Sequence, residues 1–342
     1  MKKLLNTLYV STPNSYISKE NEKLVVRQEN RFKEFPVHIL DSVVCIGRVS
    51  CSPALMGFLC ERGVGLSFLS ENGRFLARVN GPVSGNVLLR VAQYKVADDQ
   101  IKSAELARRF VVAKIVNGRN ILLRAKRDYP DSDKSGNFKK IAEYLALILK
   151  SLEIFQSTET IRGKEGDAAR AYFSVFDDLL TSQKDDFFFH ERSRRPPMDN
   201  VNALLSFIYT LLTHDTVSAL EGVGLDPAVG YLHTIRPGRP SLALDLIEEF
   251  RPMIADRLVL NLINRRQVQK NGFIHTESGA VLMDDNTRKE VIKEYQERKK
   301  EEISHPFLNE KIPIGLLPHV QAMLLARYIR GDLDGYPPFR WK

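Results

Sequence analysis

The sequence predicts an α+β protein in which a small β-rich N-terminal domain precedes a large all-α C-terminal domain. Short runs rich in β-branched and aromatic residues, separated by turn residues, continue to about residue 95. After about residue 98 the apolar residues recur with the 3.6-residue period of a helix. A length of 342 residues suits two domains. We therefore predict domains of residues 1–95 and 98–342.

The N-terminal part combines strand-like segments with one helix. Asn72-Gly73, between two of the strand-like segments, is typical of a hairpin turn. A helix is predicted over Pro53–Arg62, because Pro53 suits a first helical position and Gly63 the residue just past the end. The predicted strands are TLYVST, KLVVRQ, VVCIGRV, VGLSFLS and RFLARVN.

The C-terminal part is a series of segments with helical periodicity. The segment that begins at Asn286 is so highly charged that we interpret it as a solvated helix face. The predicted helices are Gln100–Asn117, Asn137–Ser151, Thr160–Leu180, Asp199–Leu220, Ser241–Phe250, Met253–Arg266, Thr287–Glu302 and Leu317–Arg330.

Composition narrows the class of partner and the compartment. The net charge of +8 favours a polyanionic partner, such as nucleic acid. No apolar run approaches the roughly 18 residues that span a bilayer, so no membrane association is expected. Cys45, Cys51 and Cys60 lack metal-ligand spacing and suit reduced core residues of a cytoplasmic protein.

The segment His233–Pro252 carries the clearest chemical signal. After His233 comes a basic loop with proline and glycine, then a helix in which Asp245 and Glu248 are three residues apart and share a face. A histidine and paired carboxylates beside arginines indicate half of a site for a divalent cation and a phosphate. On the helical wheel Ser241 and Glu249 join the carboxylate side, and the opposite side, predicted to be buried, holds Ala243, Leu246, Ile247 and Phe250.

Glu165 is a candidate for the other half of that site. It points along the apolar stripe of its predicted helix, and a buried carboxylate is costly unless it is paired or binds a metal. The alternative is that Glu165 lies in the first turn of the helix, where an acidic residue interacts favourably with the helix dipole. Periodicity alone leaves both interpretations open.

A polar stripe and two basic loops complete the set of candidate residues. The stripe on the apolar helix Asp199–Leu220 either bonds another element or lines a cleft. The guanidinium groups of the basic loops suit bidentate phosphate contacts. The stripe consists of Asn202, Ser206, Tyr209 and Thr213, and the loops contain Arg192, Arg194, Arg195, Arg236 and Arg239. Walker, GxGxxG and GxSxG motifs are missing, which disfavours nucleotide hydrolases, Rossmann enzymes and α/β-hydrolases.

Taken together, these segments resemble the CRISPR-associated spacer-acquisition integrase/endonuclease, the universal adaptation protein known as CRISPR-associated protein one. The resemblance covers essentially the whole chain, including the early β segment at 49–79. The matching motifs are GKEGDAARAYF at 163–173, RRPPMDNVNALLSFIYTLL at 194–212, GLDPAVGYLH at 224–233 and SLALDLIEEFRP at 241–252.

The resemblance implies a homodimer that binds DNA and acts with a small companion CRISPR adaptation protein. It implies a β-rich dimerisation domain and a helical catalytic domain. The family's metal ligands fall on Glu165, His233 and Glu248, and Asp245 matches a further acidic position. The arginine loops, with Asn202, Ser206 and Tyr209, would contact DNA.

The implied chemistry is metal-dependent phosphodiester transfer and hydrolysis on double-stranded fragments, branched intermediates and the CRISPR repeat. Oxygen-rich ligation favours Mg²⁺ or Mn²⁺, and the imidazole inclines the choice towards Mn²⁺. Asp245 would orient a ligand or assist the nucleophile. The alternatives are a nucleic-acid-binding scaffold with structural carboxylates, and a metal hydrolase of a small phosphate ester, which the basic charge disfavours.

Overall fold

The chain divides into two compact units, residues 1–85 and residues 86–342. The boundary lies ahead of the predicted one, because a helix at Val87–Asp98 belongs to the second unit. The predicted boundary at residue 95 had placed most of that helix in the β-rich domain. The computed structural model describes residues 7–29, 31–40, 42–70, 75–81, 87–128 and 136–341.

The first unit is built from two four-stranded sheets within the described residues. Its strands are β1 (Thr7–Val10), β2 (Ser15–Glu20), β3 (Lys23–Gln28), β4 (Arg31–Pro36), β5 (Ser42–Ile46), β6 (Val49–Cys51), β7 (Gly65–Leu69) and β8 (Phe75–Val79). One sheet has the order β1-β5-β7-β8, with β8 antiparallel to β7 and the other pairs parallel. The other has the order β4-β3-β2-β6, with only the β2–β6 pair parallel.

Helix α1 (Pro53–Glu61) belongs to the first unit, as the proline signal predicted. Ser52 caps it, since its hydroxyl accepts a hydrogen bond of 3.2 Å from the Leu55 amide. Leu55 and Leu59 are fully buried in a core shared with Ile17 and Val43. The Asn72-Gly73 hairpin signal lies outside the described residues.

The second unit is mainly helical and holds all the predicted site residues. Its helices are α2 (Val87–Asp98), α3 (Gln100–Asp128), α4 (Asn137–Ser151), α5 (Thr158–Phe173), α6 (Asn200–Gly222), α7 (Ser241–Ile247), α8 (Arg257–Asn264), α9 (Asp285–Lys300) and α10 (Leu317–Arg330). It also contains two short hairpins that sequence did not predict, formed by β9 (Phe273–His275) with β10 (Val281–Met283) and β11 (Glu302–Ser304) with β12 (Lys311–Pro313). The fold is therefore α+β, with a strand-rich region followed by a helical one.

Helix α6 is a long and largely buried helix of the second unit. Among the described residues it alone is long and apolar enough to cross a bilayer, but 61% of its apolar window is buried inside the protein. It packs against α7, α8 and α10. Its first turn is capped by Asp199, whose carboxylate accepts a hydrogen bond of 2.7 Å from the Asn202 amide.

The backbone changes its helical form after α7. A turn at residues 248–250 leads into a π-helix, Arg251–Asp256, and then into α8. Pro252 has no amide hydrogen to donate, which interferes with a regular α-helix here. The predicted helix to Phe250 therefore ends at Ile247, and both predicted sides of α7 are buried.

Helix α9 is less solvated than its charge suggested. Arg288, Arg298 and Lys299 are buried. The Lys299 ammonium donates a hydrogen bond of 2.8 Å to Asp215, and a guanidinium nitrogen of Arg298 donates one of 3.2 Å to the Met253 carbonyl. The predicted solvated face is present along part of the helix, and the basic side chains on its other side can be buried because carboxylates or carbonyls accept their hydrogen bonds.

The last residues form an extended segment, the C-terminal strap (residues 336–341), along α3. The Asn117 side-chain amide donates to the Phe339 carbonyl at 3.0 Å and accepts from the Trp341 amide at 2.7 Å. Tyr336 and Phe339 are fully buried. The strap thereby closes the core beside the turn that follows α7.

A candidate metal and phosphate site

Asp245 organises the loop that carries His233. Its fully buried carboxylate accepts hydrogen bonds from the backbone amides of Tyr231, Leu232 and His233, at 2.5, 2.9 and 2.8 Å. The loop can approach because residue 230 is glycine: a Cβ there would lie 2.7 Å from Ser241 and 2.9 Å from the Asp245 carboxylate. Asp245 therefore acts on the histidine and its loop.

His233 is held in one orientation by the same carboxylate. Its Nδ1 lies 2.7 Å from Asp245 Oδ1, which assigns the ring proton to Nδ1. The Nε2 atom lies on the side of Glu248, whose Oε1 is 4.0 Å away. A carboxylate behind the imidazole is the arrangement that orients histidine ligands in metal sites.

Glu248 lies at the end of α7 and is buried between two cations. Arg251 Nη1 is 2.7 Å from its Oε1, and Lys114 Nζ is 2.7 Å from its Oε2. Burial raises the pKa of Glu248, but Arg251 and Lys114 lower it more, to about 2. The carboxylate is ionised, as a metal ligand must be.

Glu165 shares the cation that binds Glu248. The Lys114 ammonium donates a hydrogen bond to Glu165 Oε1, so one nitrogen bridges the two glutamates. Glu165 lies in the middle of α5, whose first-turn acidic residue is Glu159. Glu165 is therefore not a first-turn residue, and its carboxylate is paired with Lys114.

Glu165 and Glu248 thus share one ammonium, and His233 lies on the side of the other Glu248 oxygen. No group of three His, Cys, Asp or Glu side chains in the described part of the chain is already arranged to hold a metal ion. Glu249, which the helical wheel placed on the same side as Asp245 and Glu248, does not belong to this site. The turn after α7 directs Glu249 to the C-terminal strap, where it binds Tyr336 and the Phe339 amide at 2.6 and 2.7 Å.

A layer of aromatic and charged groups adjoins the glutamates. Arg251 and Arg192 lie over the Tyr209 ring, with guanidinium carbons 4.9 and 5.4 Å from its centroid. The Tyr209 hydroxyl donates to Asp256 at 2.6 Å. Arg251 and Asp256 are five residues apart in the π-helix, and both contact Tyr209, Arg251 over the ring and Asp256 at the hydroxyl.

A cavity of about 500 Å³ opens beside this layer. Lys114, Glu165, Arg192, Tyr209 and Arg251 contribute to its wall. The Nε groups of Arg192 and Arg251 are buried without a hydrogen-bond acceptor among the described residues. Unsatisfied guanidinium donors at a cavity wall suit an anion such as a phosphate.

The two basic loops converge near the site. The pKa of Arg239 is lowered by partial burial and by the neighbouring charges of Arg236, Arg162 and Arg195. Arg194, Arg195 and Arg236 are exposed, and Arg239 is half-buried. Their guanidinium groups are available to a polyanion outside the site.

The polar stripe on α6 serves mainly to hold the loop before it. Asn202 is fully buried, donates to the Glu191 carbonyl at 2.8 Å and accepts from the Ser193 amide at 3.1 Å. Ser206 accepts from Arg192 at 3.1 Å. Direct DNA contact by Asn202 is therefore wrong, and its bonds to another element explain the stripe. Tyr209 fits both interpretations of the stripe, since its hydroxyl bonds Asp256 and its side chain lines the cavity.

Sequence reasoning missed Lys114, Arg251 and Asp256. Lys114 follows the buried Phe110 and Val111 by four and three residues, so it lies on the apolar side of α3. A charge on an apolar stripe was the signal that could have found it. Arg251 and Asp256 gave no comparable signal, because the sequence does not show that this segment is a π-helix, and only in a π-helix do they lie on the same side.

Comparison with known families gives a consistent result. The family model for CRISPR associated protein Cas1 matches residues 8–297. A protein of Chlorobaculum tepidum named CRISPR-associated endonuclease Cas1 1 is 55% identical, over 100% of both chains. A protein of Rhodospirillum rubrum named CRISPR-associated endonuclease Cas1 2 is 50% identical, also over 100% of both chains.

Solved structures share the fold at lower identity. A Cas1 protein from Thermotoga maritima has a TM-score of 0.82 at 24% identity, covering 97% of this chain and 99% of that one. A casposase bound to an integration product has a TM-score of 0.83 at 24% identity, covering 96% and 91%. A Cas6-RT-Cas1–Cas2 complex has a TM-score of 0.83 at 22% identity, covering 100% of this chain and 36% of the other.

Proposed function

Because this chain belongs to the family of CRISPR associated protein Cas1, we propose that it is a metal-dependent DNA endonuclease and integrase of CRISPR adaptation. It would insert foreign DNA fragments as new spacers into the repeat array by phosphodiester transesterification. The full-length relatives are named as endonucleases, which supports the nuclease activity. The observation that carries the proposal is that Glu165 and Glu248 share one cation beside an arginine-lined cavity, with His233 Nε2 4.0 Å from Glu248.

The donor set fits Mg²⁺ or Mn²⁺. Glu165 and Glu248 offer carboxylate oxygens, and His233 offers an Nε2 lone pair because Nδ1 donates to Asp245. These three residues would hold the ion, and hard oxygens with one imidazole suit Mn²⁺ somewhat better than Mg²⁺. A bound ion would polarise the phosphodiester and make an attacking oxygen more nucleophilic.

The chain's own cations have separate roles in this proposal. Arg251 and Lys114 keep Glu248 ionised, so the ligand is ready at neutral pH. Arg192 and Arg251 present buried donors to the cavity, where they would bind the phosphate under attack. Arg194, Arg195, Arg236 and Arg239 would bind flanking phosphates.

The nucleophile determines the product. A DNA 3′-hydroxyl that attacks a repeat phosphodiester loses its proton and forms a new bond to phosphorus. The bond from that phosphorus to the 3′-oxygen of the repeat strand breaks and the departing oxygen takes up a proton, which gives insertion. Water in the same position gives cleavage. The reverse attack resolves a branched DNA. One site therefore accounts for endonuclease and integrase activity without a second catalytic centre.

Assembly is part of the same proposal. We assign homodimer formation to the strand-rich unit and expect the chain to act with a small companion protein on double-stranded DNA. A solved neighbour in which a Cas1 is joined to Cas2 is an example of such a companion.

Strand transfer of a labelled DNA fragment into a repeat-bearing plasmid, with Mn²⁺ and the companion protein, tests this function. Glu165→Gln and Glu248→Gln should each lose more than about a hundredfold in rate, because each removes a charged ligand. Glu159→Gln is the matched control, since Glu159 is an exposed residue of the same helix. It should react like the parent.

Two results would count against the function. Parental activity in Glu165→Gln would exclude Glu165 as a ligand. A parent protein that binds DNA but neither inserts nor cleaves it in Mn²⁺ would favour the alternative, a nucleic-acid-binding scaffold whose carboxylates are structural.

A further inference from the structure

The Lys114 ammonium lies at the point that the two glutamates share. It is 2.7 Å from Glu248 Oε2 and hydrogen-bonded to Glu165 Oε1, and its side chain is only 14% exposed. A single buried nitrogen thus pairs with two carboxylates from different helices. It neutralises a repulsion that would otherwise separate α5 from the end of α7.

A divalent ion needs the same oxygens. Oxygen ligands lie about 2.0–2.2 Å from Mg²⁺ or Mn²⁺, and an ion that bound both carboxylates would occupy the region where the ammonium lies. The two cations would also repel each other strongly inside the protein. Through the two oxygens that face Lys114, Glu165 and Glu248 can therefore bridge the ammonium or the ion, but not both at once.

The surroundings allow Lys114 to move and Arg251 to stay. Lys114 lines the 500 Å³ cavity, and its four-carbon stem has free rotors with which to swing into that space. Arg251 binds the other oxygen of Glu248, at 2.7 Å, and is packed on the Tyr209 ring. The exchange then involves one side chain and leaves the turn after α7 in place.

We propose that Lys114 is a resident counter-cation that holds the metal-free site together, competes with the divalent ion for Glu165 and Glu248, and swings into the cavity when the ion binds. The proposal rests on the proposed function for the identity of the metal ligands. It makes Lys114 a positioning residue whose charge lowers the affinity of the free protein for metal.

Mn²⁺ titration of the full-length protein without DNA, followed by the electron paramagnetic resonance of free Mn²⁺, tests the proposal. Lys114→Met keeps most of the volume and removes the charge, so it should bind Mn²⁺ at least about tenfold more tightly than the parent. Lys114→Arg retains the charge and should bind no more tightly than the parent. Lys164→Met is the matched control, because the Lys164 ammonium binds the Ser151 carbonyl and hydroxyl, at 3.0 and 2.8 Å, and should leave the affinity unchanged.

Thermal melting in EDTA supplies a second reading. Lys114→Met should melt below the parent without metal, because Glu165 and Glu248 lose the cation that they share, and should recover more than the parent on addition of Mn²⁺. If that variant fails to fold, Lys114→Gln, which keeps a hydrogen-bond donor without charge, replaces it. Lys164→Met should show neither effect.

His233→Ala separates the two ways of failing. If the parent binds Mn²⁺ in a manner that His233→Ala abolishes, but Lys114→Met or Lys114→Gln binds no more tightly, the counter-cation proposal is wrong and the metal site stands. If the parent shows no Mn²⁺ binding that depends on His233, the proposed function and this proposal are both wrong.

Discussion

At the residue scale, Asp256 is a buried acid near the site whose ionised form is disfavoured by burial. Burial raises its pKa to about 6, although the Tyr209 hydroxyl, 2.6 Å away, opposes the shift. The unfolded chain loses this proton near pH 4, before the folded chain does. Stability is therefore lost as pH rises from about 4 to 6, and the loss persists above pH 6.

Asp256→Asn should remove that loss, since an amide oxygen still accepts from Tyr209. Relative to the parent, its free energy of unfolding should rise by about 3 kcal/mol between pH 4 and pH 7, from a difference of about two pKa units. Urea denaturation at pH 4, 5, 6 and 7 measures this. A difference between the two proteins that is constant with pH would show that Asp256 does not titrate in this way.

Candidate ligands could be predicted from sequence where their spacing is local. His233, Asp245 and Glu248 lie within one short segment, and a helix places the two acids on one face. Lys114 could not be assigned to them, because the period of α3 shows which residues face inward and does not show what they meet. Which group pairs with an inward-facing charged side chain depends on how helices far apart in the sequence pack together.

At the element scale, the C-terminal strap stabilises the turn that carries Glu248. Glu249, the next residue, binds Tyr336 and Phe339, and the Asn117 amide binds both the strap and the Glu249 carbonyl, the latter at 2.7 Å. Burial raises the pKa of Glu249 to about 8, so it is mainly neutral at pH 7. The strap therefore packs on an uncharged carboxyl.

Phe339→Ala should lower the free energy of unfolding by about 3–5 kcal/mol, because it removes a fully buried ring. Phe307→Ala is the control: Phe307 is 48% exposed and its loss should cost about 1 kcal/mol or less. Chemical denaturation compares them. Equal losses in the two variants would mean that the strap contributes nothing specific to the core.

Helices and strands with a clear apolar face were predicted more accurately than those without one. The bounds of α4 and α10 agree with prediction because apolar periodicity and terminal residues coincide there. Strand β4 was missed, since four of its six residues are exposed and it has no buried face. The π-helix was predicted largely as α-helix, because apolar periodicity does not distinguish the two forms over six residues.

At the scale of the whole molecule, the basic loops should bind DNA without reading its sequence. Arg236 lies in an exposed loop and Arg239 close to two further arginines. Replacing both with alanine should weaken binding to all duplexes similarly and reduce the slope of log K against log salt by up to roughly 1.8. Binding isotherms at several salt concentrations test this. An unchanged slope with lost discrimination between repeat and random DNA would instead indicate base contacts.

The division into two units suggests a second test at this scale. Residues 1–85 contain two sheets and a core of their own, and we expect them to self-associate in sedimentation. Residues 86–342 should sediment mainly as a monomer. The opposite partition would overturn the assignment of the dimer to the strand-rich unit, which rests on family membership.

The central claim is that Glu165, His233 and Glu248 hold one divalent ion. Anomalous diffraction from crystals of the full-length protein grown with Mn²⁺ tests it most directly. We predict a single strong peak roughly 2.0–2.3 Å from a carboxylate oxygen of each glutamate and from His233 Nε2, with Lys114 withdrawn from both carboxylates. An ion bound elsewhere, or Lys114 still bridging the glutamates at saturating Mn²⁺, would contradict the account.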